Sequence, residues 1–248
     1  MQRLLATTMM LLMMTAALAG CAGDDDSGFT QEDIDAAREE GRAAGIAEAT
    51  TPSTLDTIIE RGSMKCGVKE SQYGMGYLDS ATGVRSGLDI SYCRAVAAAL
   101  GLNPDTDVEY IPASGSDRFE KLAAGTIDVL IRTTTWTTSR DASLNADFAG
   151  MNFFDGQGIL VREDRFAASA AGNSASGLDG ANICVGIGTT TEGNMQDWFS
   201  SREIEFTSVP VADAAEATAK FIDGSCDAFT GDMSAMVAKK CSLTPTAR

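Results

Sequence analysis

The sequence contains no histidine. That removes Ser-His and Cys-His nucleophilic catalysis and every His-ligated metal site. No Cys-x-x-Cys occurs, which argues against a zinc ribbon and a thioredoxin-type redox pair. Basic residues are scarce. Against 35 Asp and Glu stand 19 Lys and Arg, a formal charge of −16, so nucleic acid and anionic membrane surfaces are poor partners. The apolar stretch at the N-terminus, Leu4 to Leu18, is too short for a comfortable membrane span, and no stop-transfer charges flank it.

What is present starts with that stretch. Arg3 precedes it and the run Leu18-Ala19-Gly20-Cys21 closes it. A charged start, a short apolar centre and small residues at a cut site read as a secretory signal. The closing run looks like a bacterial lipobox. It implies cleavage before Cys21, a lipid on the Cys21 sulfur, and a protein working outside the cytoplasm on a membrane tether. An uncut anchor, or an ordinary signal with an incidental cysteine, are the other readings. The remainder is long enough for one large domain or two small ones with a sizeable core. Its other cysteines are 66, 93, 184, 226 and 241, and outside the cytoplasm such cysteines usually pair.

Residues 21–53 read as an acidic stalk. Asp24-Asp25-Asp26 is a solvated run, and Thr30 with Asp33 can cap a helix over 31–49 whose mostly Ala and Gly face packs weakly. From Thr54 the pattern turns globular. A helix capped by Thr54 ends at Gly62, a strand covers 64–69, and a Gly-rich loop carries Tyr73 and Tyr77. Residues 89–100 place Ile90, Cys93, Val96, Ala97 and Leu100 on one helical stripe. Strands at 108–111 and 128–131 flank a helix over 117–124. This β-α-β-α-β alternation predicts a parallel sheet with helices on both faces. After an extended stretch at 151–162 and a small-residue loop at 167–177 the rhythm restarts. Strand 182–187, helix 190–200, strand 203–209, helix 212–223, strand 227–230 and a helix from Asp232 follow. Two α/β lobes joined by extended segments are expected, lobe 1 over 54–156 and lobe 2 over 157–248; a single larger sheet is the alternative.

Three constellations carry chemistry. The run from Arg132 to Arg140 holds Thr133, Thr134, Thr135, Thr137, Thr138 and Ser139 and leaves the end of a strand, where open α/β sheets bind ligands. Its hydroxyls and guanidiniums suit a small anion, and Arg140 can hold a carboxylate with two parallel hydrogen bonds. An ordinary Thr-rich loop would look the same. Gly186-Ile187-Gly188-Thr189-Thr190-Thr191 lies between a strand and a helix. It is not the dinucleotide fingerprint, since Thr191 stands at the third glycine, but Thr189, Thr190 and the free amides make either an anion seat or a plain cap. Asp232 ends a strand and can pair with an ammonium group or cap the next helix. Together these features describe a receptor for a zwitterion.

At this point the residues resemble a known family, the bacterial extracytoplasmic solute-binding proteins for polar amino acids, the capture components of ABC importers. The segments that carry the resemblance are Cys66-Gly67-Val68, Gly87-Leu88-Asp89, Asp128-Val129-Leu130, Thr134-Thr135-Trp136-Thr137, Ser139-Arg140-Asp141, Asp155-Gly156-Gln157-Gly158, Gly188-Thr189-Thr190-Thr191-Glu192 and Cys226-Asp227. Their order and spacing hold from about 54 to 232. Thr-Thr-Trp-Thr and Asp-Gly-Gln-Gly look like the branch that takes a broad range of L-amino acids. The resemblance implies a two-lobed periplasmic-binding-protein-like (type II) fold that closes on its ligand by a hinge. It implies Arg140 on the ligand α-carboxylate, with Thr133, Thr135 and Thr190 beside it, and Asp232 on the α-ammonium. It places Tyr73 or Tyr77 over the ligand side chain and leaves Arg132 either meeting an acidic side chain or structural. Within the expected lobes, Cys66 is to pair with Cys93 and Cys184 with Cys226.

Family members run well past the aspartate at position 232, whereas here the tail from Cys241 to Arg248 matches none of the pattern. The chain is therefore read as truncated or frame-shifted near 240, with the second lobe and the return to the first incomplete. The expected function is capture of L-amino acids and delivery to the membrane subunits of an ABC importer, without catalysis, cofactor or metal. A periplasmic enzyme on the same fold, a dehydratase or a peptidoglycan-cleaving enzyme, needs an acid or base in the cleft; only Asp232, Glu70 and Glu192 offer one. A ligand-sensing lipoprotein is the other alternative.

Overall fold

The computed structural model describes residues 30–50, 52–144 and 146–243. The lipobox with Cys21 and the acidic run at 24–26 lie outside them. The chain divides into two compact units, Met1–Pro52 and Ser53–Arg248. In the first, helix α1 spans Gln31–Thr50, within one residue of the expected 31–49. Asp33 Oδ2 accepts from the Thr30 amide at 2.8 Å and Thr30 Oγ1 accepts from the Asp33 amide at 3.2 Å, the reciprocal bond pair of a capping box.

The second unit opens with helix α2, Thr54–Arg61, closed by Gly62 at φ 70°. Its cap is Ser53, one residue before the expected Thr54, because the residue three positions on from Ser53 is Asp56, whose carboxylate returns a bond to the Ser53 amide at 3.0 Å. Thr54 has only Thr57 at that spacing. Strands β1 (Met64–Val68), β5 (Val108–Pro112) and β6 (Val129–Leu130) form a parallel sheet in the order β5-β1-β6. Helix α3, Leu88–Ala99, buries Ile90, Cys93 and Ala97 against β1, where Met64, Cys66 and Val68 meet them together with Ile58 of α2. The Cys66–Cys93 disulfide ties this contact. The loop that holds Tyr73 and Tyr77 is itself a small antiparallel sheet of β2 (Ser71–Gln72), β3 (Gly76–Leu78) and β4 (Arg85–Ser86). Helix α4 covers Arg118–Ala123 and α5 covers Thr138–Ser143.

The second main sheet has the order β7-β10-β8-β9, from Gln157–Val161 (β7), Ala181–Gly186 (β8), Phe206–Val211 (β9) and Ala228–Asp232 (β10). β8, β9 and β10 are parallel and β7 runs against β10. The expected loop at 167–177 instead holds helix α6, Ala167–Gly172, and a 3₁₀ turn. Helices α7 (Thr190–Ser200), α8 (Ala214–Asp223) and α9 (Met233–Ser242) complete the set. The sheet buries Ile183, Val185, Met195 and Phe199 on one face and Leu160, Phe221 and Phe229 on the other. A Cys184–Cys226 disulfide fastens β8 to the turn before β10. Two separate α/β sheets are thus present, not the single larger sheet held as the alternative. Among the described residues no helix is long and apolar enough to cross a membrane.

Candidate functional site

The carboxyl ends of β1 and β6 face those of β8 and β10 across a cavity of about 260 Å³. This is where parallel sheets leave amides and side chains free for a ligand. From the first sheet come Lys69, Arg118, Arg132, Thr133, Thr135 and Arg140; from the second, Thr189, Thr190, Thr191 and Asp232. Tyr73 and Tyr77 line neither this cavity nor its neighbour. They stack on each other with ring centres 4.0 Å apart, and Lys239 of α9 lies 5.9 Å from the Tyr73 ring.

Arg140 owes its place to Thr137, whose Oγ1 accepts from the Arg140 amide at 3.2 Å and so starts α5 there. The guanidinium then reaches into the cleft. Nη1 donates to the Thr135 carbonyl at 2.9 Å, and Nη2 to the Gly188 carbonyl at 3.4 Å on the opposite side. Burial lowers its pKa from the ordinary arginine value. Arg118, at the start of α4, is 2% exposed and donates from Nη2 to the same Gly188 carbonyl at 3.1 Å. Its Nε and Nη1 have no partner among the described residues. Burial first, then repulsion from Arg132 and Arg140, pulls its pKa down to about 9. Burial pulls Arg132 to about 10, against the attraction of Asp232 and Asp89. Both stay charged at neutral pH.

Lys69 follows β1. Its ammonium donates to Gln72 Oε1 and, at 3.1 Å, to Thr133 Oγ1, and lies 4.0 Å from Asp232 Oδ2. Burial and then Arg132 bring its pKa down to about 8. Asp89 beneath it is 3% exposed, and burial pushes its carboxyl up to about 6 although Lys69, Arg132 and the Thr133 amide favour the anion. Asp232 occupies the cap position of α9 without making a side-chain cap bond. Its carboxylate is left for the cleft, and the plain-cap alternative is not used.

Across the cavity Thr189 caps α7, accepting from the Glu192 amide at 3.2 Å. Thr190, the first helical residue, meets Thr135 hydroxyl to hydroxyl at 3.0 Å, a contact between the two sheets. Glu192 accepts from the Gly188 amide at 3.0 Å and Glu70 pairs with Arg85 at 2.6 Å, so of the three carboxylates considered as acids only Asp232 is left facing the cleft.

The structure therefore brings Arg140, Arg132, Thr133, Thr135, Thr189, Thr190 and Asp232 to one cavity. Sequence reasoning missed Arg118, Lys69 and Asp89. A lone Arg at a helix start and a Lys beyond a strand look like solvated charges, and only their burial reveals them. Lys69, Arg118, Lys121, Arg132 and Arg140 line the cavity together with Glu70, Asp117, Asp213 and Asp232, and helix α7 begins at its wall with Thr189 and Thr190.

The profile of "Bacterial extracellular solute-binding proteins, family 3" matches residues 64–239. The glutamate/glutamine/aspartate/asparagine-binding protein BztA of Rhodobacter capsulatus is 43% identical over 81% of this chain and 57% of its own length. The general L-amino acid-binding periplasmic protein AapJ of Rhizobium johnstonii is 37% identical over 79% of this chain and 56% of its own. Among solved structures, a periplasmic binding protein from Brucella ovis with glutathione bound is 42% identical, with a TM-score of 0.71 over 78% of this chain and 59% of that one. An ancestral amino-acid-binding protein, described as a precursor of cyclohexadienyl dehydratase, is 25% identical with a TM-score of 0.66 over 79% of this chain and 80% of that one. The chain spans a little over half the length of the curated relatives it matches.

Proposed function

The chain belongs to the bacterial extracellular solute-binding proteins, family 3, and from that premise we propose that it captures L-amino acids outside the cytoplasm and hands them to an ABC importer. The observation that carries this is the placement of opposite charges on opposite sheets. Arg140 stands at one side of the cavity and Asp232 at the other, as the carboxylate and ammonium of one zwitterion require. Thr190 and the amides of the α7 N-terminus add donors for the carboxylate. Thr133 and Thr135 complete its surroundings.

The remaining cations set the side-chain preference. Lys69, Arg118 and Arg132 line the cavity beside Arg140; of the carboxylates that line it, Glu70 is paired with Arg85, Asp117 with Lys121, and Asp213 caps the first turn of α8, which leaves Asp232 facing these cations. A ligand with a second carboxylate restores the charge balance, and its amide supplies the same acceptor oxygen. Acidic amino acids and their amides are therefore the favoured ligands, in keeping with the relative named for those four. Residues 54–156 and 157–248 act as the two lobes, and the contacts Thr135–Thr190, Arg140–Gly188 and Arg118–Gly188 are those of a closed cleft. No catalytic step is assigned: Glu70 and Glu192 are tied to Arg85 and Gly188, and Asp232 is given to the ligand ammonium. Outside the cleft, Cys21 carries the lipid that holds the protein at a membrane; Cys21→Ser should move it to the soluble fraction, and unchanged fractionation would remove the anchor.

Calorimetric titration with each of the twenty L-amino acids tests the reading. Saturable binding is expected, strongest for glutamate, aspartate, glutamine and asparagine. Absence of binding by all twenty would overturn it.

A further inference from the structure

Lys69 and Asp232 face each other across the cleft. Lys69 follows β1 of the first sheet and Asp232 ends β10 of the second. Their charged groups stand 4.0 Å apart, and both side chains are only partly exposed, at 19% and 25%. An ammonium has three donors. One goes to Gln72 Oε1 and one to Thr133 Oγ1 at 3.1 Å, both on its own side of the cleft. Gln72 is 1% exposed, and its Nε2 donates to Ser234 Oγ at 3.4 Å, which turns Oε1 toward Lys69. The ammonium is thereby held short of Asp232. At 4.0 Å it meets that carboxylate as an ion pair and not as a hydrogen bond.

Asp232 is consequently neutralised while its oxygens stay open to a ligand. It makes no side-chain cap bond to helix α9, and of the cations lining the cavity Lys69 is the one paired with it. A carboxylate is costly to leave without a counter-charge once a closing cleft shuts out water. In a site that relied on its ligand for that charge, a ligand lacking an ammonium would be rejected. Here the counter-charge belongs to the protein. The ammonium of an amino acid adds hydrogen bonds to Asp232 but shares it with a cation already present, so it gains less than it would alone.

We propose that Lys69 is the resident counter-ion of Asp232, and that the cleft therefore takes dicarboxylates without an ammonium as well as amino acids. This rests on the amino-acid reading of the cleft, with Arg140 on one ligand carboxylate. Glutarate, which is glutamate without its α-ammonium, places one carboxylate on Arg140 and leaves Asp232 to Lys69. Glutamate brings its ammonium to Asp232 against the repulsion of Lys69. Lys69 thus sets how strongly the protein distinguishes a ligand with an α-ammonium from one without.

Calorimetric titration of the full chain with L-glutamate and with glutarate tests this. The ratio of the two affinities is the readout, because whatever Lys69 does for the rest of the ligand is common to both. In the parent, glutarate should bind within about tenfold of glutamate. Lys69→Met removes the resident charge with little change of length. It should widen the ratio about tenfold or more, mainly through loss of glutarate, which then leaves Asp232 unpaired. Lys69→Arg keeps the charge and should hold the ratio within threefold of the parent, a separation that a merely structural role would not produce. Thermal unfolding checks that each variant is folded, and Lys69→Gln replaces the methionine variant if that one is not. Glutarate more than about 100-fold weaker than glutamate in the parent, or a ratio in Lys69→Met within threefold of the parent, would overturn the counter-ion and leave the amino-acid reading standing. Binding of neither ligand would overturn the counter-ion together with the preference for acidic ligands.

Discussion

At the scale of single residues the site is governed by burial of charge. That Arg140 and Asp232 lie at the cavity could be read from the sequence, because Arg140 stands in a run of hydroxyls after a strand and Asp232 ends a strand. The places of Lys69, Asp89 and Arg118 could not, because nothing local distinguishes a buried charge from a solvated one. If Arg140 and Asp232 hold the two ends of a zwitterion in a closed cleft, removing either leaves a ligand charge buried and unpaired, which costs roughly 2–5 kcal/mol. Arg140→Ala and Asp232→Ala should each weaken amino-acid binding about 30-fold or more by calorimetry; a change below threefold would reject the assignment. Asp89 gives a separate signature. Its folded pKa is raised from 3.8 to about 6, so between those values the folded state holds a proton that the unfolded state has lost. Stability must then fall as pH rises from about 4 to about 6, by up to about 3 kcal/mol at one pKa unit per 1.36 kcal/mol. Asp89→Asn should lose that slope in urea unfolding series at pH 4 and pH 7. An identical slope in the variant would mean that the carboxyl titrates normally.

At the scale of elements, regular alternation could be read and short, irregular pairing could not. Helix α7 lies at Thr190–Ser200 as expected, because Thr189 is a strong cap and Met195 and Phe199 keep one face apolar. Strand β9 begins at Phe206, later than the expected 203, because Arg202 and Glu203 form the turn that ends α7. The sheet of β2, β3 and β4 escaped notice because strands of two or three residues have no measurable period. Each expected disulfide falls within one expected lobe, Cys66–Cys93 tying β1 to helix α3 and Cys184–Cys226 tying β8 to the turn before β10. The Cys184–Cys226 bridge closes a loop of sequence separation 42. In the chain-entropy picture such a loop contributes about 4 kcal/mol. The double variant Cys184→Ser/Cys226→Ser should show that loss in denaturant midpoint without a large change in m-value. A loss below 1 kcal/mol would place the stability of the second sheet in its two apolar faces alone.

At the scale of the whole molecule the two sheets meet through backbone, and this sets a condition on closure. Gly115, in the loop after β5, lies against Ile187 and Gly188 in the loop after β8. A Cβ on Gly115 would stand 2.4 Å from the Ile187 carbonyl oxygen, and one on Gly188 would stand 3.0 Å from the Gly115 carbonyl oxygen. Arg118 and Arg140 both donate to the Gly188 carbonyl beside this contact, so the approach of the two loops is what lets cations of the first sheet reach the second. No sequence pattern announces it, since the two glycines lie 73 positions apart and no motif contains both. Gly115→Ala places a methyl group where backbone already is. Neither side can yield as a flexible side chain would, so the sheets must separate slightly. Affinity should fall about tenfold or more, as the fraction of molecules able to close falls. The thermal midpoint without ligand should change little, because no core side chain is touched. Gly193→Ala in α7, where nothing lies within 4 Å of the added carbon, is the control and should stay within threefold of the parent. Calorimetry with L-glutamate and small-angle scattering with and without it read both consequences. Closure and affinity equal to the parent in Gly115→Ala would show that the ligand-bound state does not need this contact.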